Sequence, residues 1–144
     1  MYKTLSNGYK MPLLGLGTYK LVDEQKAYEA VKYALEVGYR LFDTAQLYQN
    51  EHIIGKAIKD SNIDRKELFI TSKLIGHDED HIVYDSILES LKKLNTDYLD
   101  LLLIHWPSHD NETNIKTWRV FERLFKEGIV KAIGVSNFSR YQLN

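Results

Sequence analysis

Residues 99–105 read LDLLLIH, a nearly continuous apolar run that ends on a histidine. An apolar run without alternation is typical of a strand that is buried on both faces of a parallel sheet. Comparable runs that end in polar residues recur about every 26 to 32 residues, the size of a strand–helix–strand unit. They cover residues 13–17, 40–43, 68–73 and 131–136. The sequence therefore predicts five strands of one parallel sheet.

Helical patterns fill the intervals between these runs. Apolar side chains recur at helical spacing in residues 25–37, 51–60, 81–94 and 113–127. Asp23 is the predicted N-cap of the first helix, and Gly38 is the residue predicted to end it. Residues 64–67 have capping-box spacing and predict a single helical turn before the third strand.

A β-hairpin is predicted at the start of the chain, outside the repeat. The dipeptide Asn7-Gly8 is a strong signal for a two-residue hairpin turn, because both residues tolerate a positive φ. The flanking strands are predicted at residues 3–6 and 9–12.

Strict alternation of strands and helices predicts an α/β protein, with residues 1–144 as a single domain. A doubly wound open sheet requires a glycine-rich turn after the first strand, and here Gly15 and Gly17 lack the third glycine of that fingerprint. Polar residues at the end of every strand favour a (β/α) barrel instead, because the strand ends of a barrel meet at one catalytic face. We therefore predict a partial (β/α)8 TIM barrel of about five strands.

The composition excludes several classes of protein. With 144 residues, 44% hydrophobic and 27% charged, the chain is neither disordered nor fibrous. A net charge of −1 gives no electrostatic basis for binding nucleic acid or an anionic membrane. No cysteine is present, so disulfides and thiolate metal sites are excluded. The first ten residues lack the apolar segment of a signal peptide, and we expect a cytoplasmic location.

Chemistry-bearing residues stand at the predicted strand ends. Asp43 ends the second strand and is followed by Tyr48, Lys73 ends the third, and His105 ends the fourth. A tyrosine phenol has an ordinary pKa near 10, and a neighbouring buried ammonium favours the phenolate. A carboxylate keeps that ammonium charged, and a histidine orients a carbonyl oxygen. These four residues predict a site that delivers a proton to a polarised carbonyl.

Five segments resemble the motifs of the aldo-keto reductases, in the same order along the chain. They are GYRLFDTAQLYQNEHIIG (38–55), GLGTY (15–19), ITSKL (70–74), LIHWP (103–107) and IGVSNF (133–138). The resemblance implies a (β/α)8 barrel that reduces aldehydes and ketones with NADPH, or in some members NADH. A small carbonyl compound is then the expected substrate.

The resemblance also implies roles for individual residues. Tyr48 matches the general acid, Lys73 and Asp43 match the residues that tune it, and His105 matches the residue that orients the substrate. The matches to cofactor-binding positions are Thr18, Tyr19, Asp43, Ser136 and Asn137. The matches to substrate-binding positions are Tyr19, Tyr48, His105 and Trp106.

The chain departs from the family pattern at its end. The family continues for three more strands, whereas this sequence stops at Asn144, just beyond the fifth. The later strands hold contacts to the nicotinamide ring and to the 2′-phosphate. A second interpretation is therefore a truncated, catalytically silent half-barrel. A third is a barrel enzyme that uses Lys73 as a Schiff-base nucleophile.

Two further expectations concern metal binding and assembly. His77 and His81 lie four residues apart, but the zinc-protease order His-Glu-x-x-His is absent, so we predict a solvated helix start and no metal site. Five parallel strands cannot close a barrel, which leaves two open edges. We expect the interior face to meet water and the chain to self-associate, either by pairing of its edges or by covering that face with another copy. The residues predicted to line that interior face are Phe42, Ile70, Leu102 and Ile133.

Overall fold

Seven strands and four helices make up the computed structural model, which describes residues 1–143. The strands are β1 (Tyr2–Thr4), β2 (Lys10–Pro12), β3 (Gly15–Gly17), β4 (Leu41–Asp43), β5 (Phe69–Leu74), β6 (Leu101–Ile104) and β7 (Ile133–Val135). The helices are α1 (Glu24–Glu36), α2 (Glu51–Ser61), α3 (Asp80–Leu94) and α4 (Asn111–Lys126). Short 3₁₀ turns cover Gln46–Tyr48, Arg65–Glu67 and Arg140–Leu143.

The five predicted strands of the repeat form one parallel sheet in chain order, β3-β4-β5-β6-β7. Each strand is joined to the next through a helix, as strand–helix–strand units require. The predicted helices lie within two residues of the observed ones at both ends. The Asp23 side chain accepts a hydrogen bond from the Lys26 N–H, and Gly38 has a φ of +100°, which confirms both predicted ends of α1.

The N-terminal hairpin forms, but its predicted turn is wrong. The Gly8 N–H donates to the Leu5 carbonyl at 2.9 Å, and the Leu5 N–H donates to the Tyr9 carbonyl at 2.8 Å. The loop therefore has three residues, with a positive φ of 84° at Gly8 and none at Asn7. A two-residue turn needs a positive φ at both central positions. Asn7 instead uses its side-chain amide to hold the hairpin against the Lys131 carbonyl at 2.9 Å.

The assignment of Phe42, Ile70, Leu102 and Ile133 to the barrel interior is also wrong. The first three side chains are fully buried in the core against the helices, and Ile133 packs partly against the same core. Successive side chains of a strand point to opposite faces. Since Asp43 and Lys73 lie on the interior face, their neighbours along the strands face the helices. The interior face instead carries residues such as Leu41, Phe69 and Thr71, which are themselves buried.

Helix α4 presents two different apolar surfaces. Its buried side, with Val120, Phe121 and Leu124, packs onto the sheet. Ile115 and Phe125 belong to the same helical pattern in the sequence, yet 47% and 43% of their surfaces are exposed. The apolar stripe of α4 is therefore wider than the surface that the sheet covers.

No helix within residues 1–143 is both long enough and apolar enough to cross a membrane.

Candidate active site

The carboxyl ends of β4, β5 and β6 bring four predicted catalytic residues together. Asp43 and Lys73 lie on adjacent strands, and Tyr48 occupies the 3₁₀ turn after β4. His105 follows β6, and its backbone N–H donates to the Leu74 carbonyl at 2.8 Å, which continues the sheet by one residue. Parallel strands end at a common edge, so residues about thirty positions apart in sequence become neighbours.

Lys73 is the charged centre of this group. Its side chain is 8% exposed, and its ammonium forms an ion pair with the Asp43 carboxylate. The ammonium also donates to the Thr44 carbonyl at 3.1 Å, and it lies 5.1 Å from the centre of the Tyr48 ring. A buried charge requires such partners, because it has lost most of its hydration. Asp43 and Thr44 thus hold the ammonium beside the Tyr48 ring.

Tyr48 lies between two other rings. The His105 ring meets it edge-on with the centroids 5.6 Å apart, and the Tyr19 ring lies at 5.2 Å on a tilted plane. The turn that carries Tyr48 closes through Gln49, whose φ is 55°. These contacts place the Tyr48 ring between the Lys73 ammonium, the His105 imidazole and the Tyr19 ring.

His105 has an environment that favours its neutral form. Burial lowers the pKa of its imidazole from 6.5, and the positive charge of Lys73 lowers this pKa further. Its Nδ1 atom is buried and has no hydrogen-bond partner within residues 1–143. A neutral imidazole carries one N–H donor, as the orientation of a carbonyl oxygen requires.

A cleft of about 420 Å³ opens beside these residues. It is lined by Tyr19, Leu47, Tyr48, His105, Trp106 and Asn137. Tyr19 and Trp106 form the outer rim of the cleft, since 66% and 53% of their surfaces are exposed. All four predicted substrate-binding residues line this cleft. Leu47 also lines it and was not predicted, because a leucine in a loop carries no chemical signal.

The predicted cofactor-side residues occupy the same edge of the sheet. Asn137 has a φ of 62°, and its Nδ2 donates to the His105 carbonyl at 2.8 Å and to the Ser136 hydroxyl at 3.1 Å. This leaves the Asn137 amide oxygen as an acceptor at the rim, next to a hydroxyl. An acceptor beside a hydroxyl fits a carboxamide such as that of nicotinamide.

Thr18 differs from the other cofactor-side candidates. Its side chain is fully buried, and its hydroxyl donates to the Asp43 carbonyl at 2.9 Å. Its backbone N–H donates to the same carbonyl at 3.0 Å. The structure thus shows Thr18 fastening the loop after β3 to the end of β4.

Asn50 supports the site and was not predicted. It is fully buried, and its Oδ1 accepts from the Thr44 hydroxyl at 2.7 Å. Its Nδ2 donates to the carbonyls of Thr18 and Leu21 at 2.8 and 3.1 Å. Asn50 therefore ties the loop that carries Tyr19 to the loop that carries Tyr48. A buried asparagine must satisfy both ends of its amide, which makes such a junction rigid.

Glu51 is a second buried polar residue that sequence reasoning missed. Its carboxylate accepts from the hydroxyls of Ser72 at 2.7 Å and Ser90 at 3.1 Å. Burial raises its pKa above 4.5, and the two serine hydrogen bonds only partly oppose that rise. Gln46 donates to Ser90 at 3.0 Å and so attaches the turn before Tyr48 to α3. Ser90 could have signalled this network, since a serine on an apolar helix stripe needs a buried partner.

His77 and His81, which were considered for a metal site, both contact the neighbouring residue Glu79. His77 Nδ1 accepts from the Glu79 N–H at 3.0 Å, and the His81 ring lies 3.6 Å from the Glu79 carboxylate. Within residues 1–143, no three His, Cys, Asp or Glu side chains are grouped so as to hold a metal ion.

Comparison with known proteins identifies the family. The sequence model described as "Aldo/keto reductase family" matches residues 13–144. The chain belongs to the aldo/keto reductase family. Its relatives include a glyoxal reductase of Bacillus subtilis, 47% identical over 140 residues that make up 96% of this chain and 50% of that protein. A methylglyoxal reductase of Escherichia coli strain K12 is 45% identical over 139 residues, with 96% and 50% covered.

Solved aldo-keto reductases share the observed fold. An aldo/keto reductase from Brucella melitensis superposes with a TM-score of 0.93 at 44% identity, covering 99% of this chain and 56% of that one. An aldo-keto reductase from Bombyx mori in complex with NADP superposes with a TM-score of 0.91 at 35% identity, covering 99% and 52%. This aldo-keto reductase chain is therefore a partial barrel, and it spans about half the length of the curated relatives it matches.

Proposed function

We propose that this chain carries the proton-delivering part of an NAD(P)H-dependent carbonyl reductase, with Tyr48 as the proton donor. The observation that carries the proposal is the buried Lys73 ammonium, held between the Asp43 carboxylate and the Tyr48 ring. An ammonium is costly to bury, and here the buried charge lies where it would stabilise a phenolate on Tyr48. The family match supports the class of reaction.

The side chains define an order of events at the substrate carbonyl. The carbonyl oxygen enters the cleft and accepts a hydrogen bond from the neutral His105 imidazole, which polarises the C=O bond. When bound, the nicotinamide cofactor supplies a hydride to the carbonyl carbon. Tyr48 transfers its phenolic proton to the carbonyl oxygen, so the product is an alcohol. Lys73 stabilises the phenolate that remains on Tyr48, and Asp43 keeps Lys73 charged and in place.

The residues at the edge of β7 support the proposed cofactor. Ser136 and Asn137 present a hydroxyl and an amide oxygen, which suit the nicotinamide carboxamide. Tyr19 lines the same cleft as Asn137, and Asp43 lies behind it in the ion pair with Lys73. We assign NADPH as the cofactor, with NADH as the alternative, in line with the Bombyx mori relative solved with NADP. Thr18 holds Asp43 in place through the two hydrogen bonds that it donates to the Asp43 backbone carbonyl.

A small carbonyl compound is the proposed substrate. The cleft of about 420 Å³ is short and walled by the aromatic rings of Tyr19 and Trp106. Two of the relatives are named for glyoxal and methylglyoxal, which are small dicarbonyls. We therefore propose small aldehydes and 1,2-dicarbonyls as the first compounds to test.

The test is NADPH oxidation by the purified chain with methylglyoxal, followed at 25 °C for the wild type and Tyr48→Phe. We expect Tyr48→Phe to lower kcat by about 10²- to 10⁴-fold, because it lacks only the transferable proton. Tyr33→Phe is the matched control, since Tyr33 is an exposed tyrosine of α1. Turnover that is equal in the wild type and Tyr48→Phe contradicts the role of Tyr48.

A second candidate function is a catalytically silent half-barrel that keeps the proton-delivery geometry. The observation that favours it is the coverage of about half of each relative. Calorimetric titration with NADPH separates the two candidates. Micromolar binding supports the reductase, and no binding supports the silent half-barrel. Lys73 as a Schiff-base nucleophile is disfavoured, because an ammonium in an ion pair has no lone pair for attack.

A further inference from the structure

The turn that carries Tyr48 is attached to the rest of the fold at two separate places. Its base closes where the Thr44 hydroxyl donates to the Asn50 Oδ1 at 2.7 Å. Its flank is attached to α3, because the Gln46 Nε2 donates to the Ser90 hydroxyl at 3.0 Å. The base alone leaves the turn free to pivot about that closure. The contact with α3 lies to one side of the base and removes this freedom.

Ser90 connects the residues on both sides of Tyr48. A serine hydroxyl has one donor and two acceptor positions. The Ser90 hydroxyl accepts from Gln46, which precedes Tyr48, and donates to the carboxylate of Glu51, which follows it, at 3.1 Å. Only 2% of the surface of Ser90 and 3% of that of Glu51 are exposed, so water does not compete for the bond between them. One buried side chain of α3 therefore holds the turn from both directions.

The second oxygen of Glu51 reaches the strand that carries Lys73. It accepts from the Ser72 hydroxyl at 2.7 Å, and Ser72 immediately precedes Lys73 in β5. Neighbouring side chains of a strand point to opposite faces. Glu51 therefore contacts β5 on the side of the helices, whereas the Lys73 ammonium lies on the other side, 5.1 Å from the centre of the Tyr48 ring.

These bonds fix positions at a cost that an apolar core would avoid. Burial raises the pKa of the Glu51 carboxyl, because a charge at this place has lost its hydration. Apolar side chains of similar volume fill such a space without that cost. Hydrogen bonds, unlike apolar contacts, are directional in both distance and angle. The network thus supplies a defined geometry between α2, α3 and β5, the central strand of the sheet.

We propose that Ser90 is a positioning residue that sets the separation between the Tyr48 ring and the Lys73 ammonium. It acts through Gln46 on one side and through Glu51 and β5 on the other. The inference rests on the proposed function, since proton transfer from Tyr48 is the step that needs this separation. Ser90 does not line the cleft, so it acts on the reaction only through the residues that it holds.

NMR of the chain with ¹³C-labelled tyrosine rings tests the proposal without any turnover. The Tyr48 signal is the one that Tyr48→Phe removes, and its change on Lys73→Met measures the contact between the ring and the ammonium. We expect this change to be at least about twofold smaller in Ser90→Ala than in the wild type, because the ring has moved away. Ser61→Ala is the matched control, since the Ser61 hydroxyl donates to the Ile58 carbonyl at 2.6 Å within α2.

A second variant keeps the test decisive if Ser90→Ala does not fold. Gln46→Met removes the bonds of the turn to Ser90 and Ser86 from a half-buried position and keeps the length of the side chain. We expect it to weaken the response to Lys73→Met in the same way. Gln25→Met, on the exposed surface of α1, is its control and keeps the wild-type response.

Turnover gives an independent readout. With methylglyoxal and NADPH, we expect Ser90→Ala and Gln46→Met to lower kcat by about 10- to 100-fold, because the proton donor is displaced. KM stays unchanged, since neither variant alters a residue that lines the cleft. Ser61→Ala keeps the wild-type kcat even where it lowers stability.

Equal responses overturn the proposal. A Tyr48 signal that Lys73→Met changes equally in the wild type and in folded Ser90→Ala or Gln46→Met shows that the network serves stability alone. A signal that does not respond to Lys73→Met in the wild type removes the contact on which the proposal depends. An unchanged kcat of both variants in an active chain also overturns it. A wild type without turnover contradicts only the proposed reductase function, and the NMR comparison still decides the role of Ser90. Circular dichroism shows which variants are folded.

Discussion

Lys73 combines the two properties that the proposed chemistry needs, a buried positive charge and a position beside Tyr48, the proposed proton donor. Its ammonium reaches Asp43, the Thr44 carbonyl and the Tyr48 ring from the end of β5. Asp43 and His105 cannot supply this positive charge, because Asp43 has the opposite charge and burial lowers the pKa of the His105 imidazole. The proposed chemistry of the site therefore depends on the Lys73 ammonium.

Replacing this cation tests its role directly. Lys73→Met keeps the length and the apolar stem of the side chain but removes the charge, so the phenolate of Tyr48 loses its stabilisation. We expect kcat with methylglyoxal and NADPH to fall by about 10²- to 10⁴-fold. Lys116→Met, on the more exposed surface of α4, is the matched control. A variant that retains wild-type turnover contradicts the assignment of Lys73.

Glu51 gives the fold a pH dependence whose sign follows from burial. Its folded-state pKa is raised above 4.5, so the native chain binds this proton more tightly than the unfolded chain does. The contribution of Glu51 to stability is therefore fully present below pH 4.5 and is lost as the pH rises through the raised pKa. Glu51→Gln cannot ionise. We expect the stability of the wild type relative to Glu51→Gln to fall as the pH rises from 4.5 through the raised pKa of Glu51.

Urea unfolding at a series of pH values measures this difference. Glu36→Gln is the control, because Glu36 is exposed at the end of α1 and no such decline is expected for it. A gap between the wild type and Glu51→Gln that is constant with pH shows that Glu51 keeps an ordinary pKa in the folded chain.

At the scale of the elements, the contact between α2 and α3 depends on a glycine. A Cβ added to Gly55 lies 2.7 Å from the Leu94 Cα and still closer to the Lys93 carbonyl oxygen. Backbone atoms cannot move aside as a flexible side chain can. α2 therefore packs on the C-terminal end of α3 at a distance that only glycine permits.

Gly55→Ala is expected to destabilise the chain by about 1–3 kcal/mol, although alanine is the better helix former. The helices must separate, and the Glu51 contacts with Ser72 and Ser90 must lengthen with them. Urea unfolding measures the loss, with Lys56→Ala on the exposed side of α2 as the control. A stabilised Gly55→Ala variant shows that helix propensity outweighs the close contact.

At the scale of the whole molecule, the parallel sheet β3-β4-β5-β6-β7 forms part of a barrel. The TM-score of 0.93 against the Brucella melitensis aldo/keto reductase shows that its curvature is that of the complete barrel. The candidate active site lies at the carboxyl ends of β4, β5 and β6, so its four predicted catalytic residues all come from this part of the barrel.

Local patterns in the sequence predicted most of the partial barrel. The run LDLLLIH and its four counterparts placed the strands of the sheet, and the helical spacing between them placed α1 to α4 to within two residues. These predictions succeed because strand burial and helical periodicity are encoded within one element. The polar strand ends also located Asp43, Tyr48, Lys73 and His105, because parallel strands must end at a common edge.

Long-range packing decided the remaining features. The sequence did not reveal which face of the sheet carries Phe42, Ile70 and Leu102, because a run buried on both faces has no alternation. The hairpin turn at Asn7 depends on its contact with Lys131, which lies 124 residues away.

The sequence by itself thus determined the family resemblance, the parallel sheet and the four side chains of the proposed chemistry. The tertiary structure alone decided how those side chains are held. Asn50 and Glu51 find their partners on β5, α3 and the loop after β3, none of which adjoins them in the chain. A buried polar group is stable only where the fold supplies its hydrogen bonds, and that supply depends on packing between distant segments.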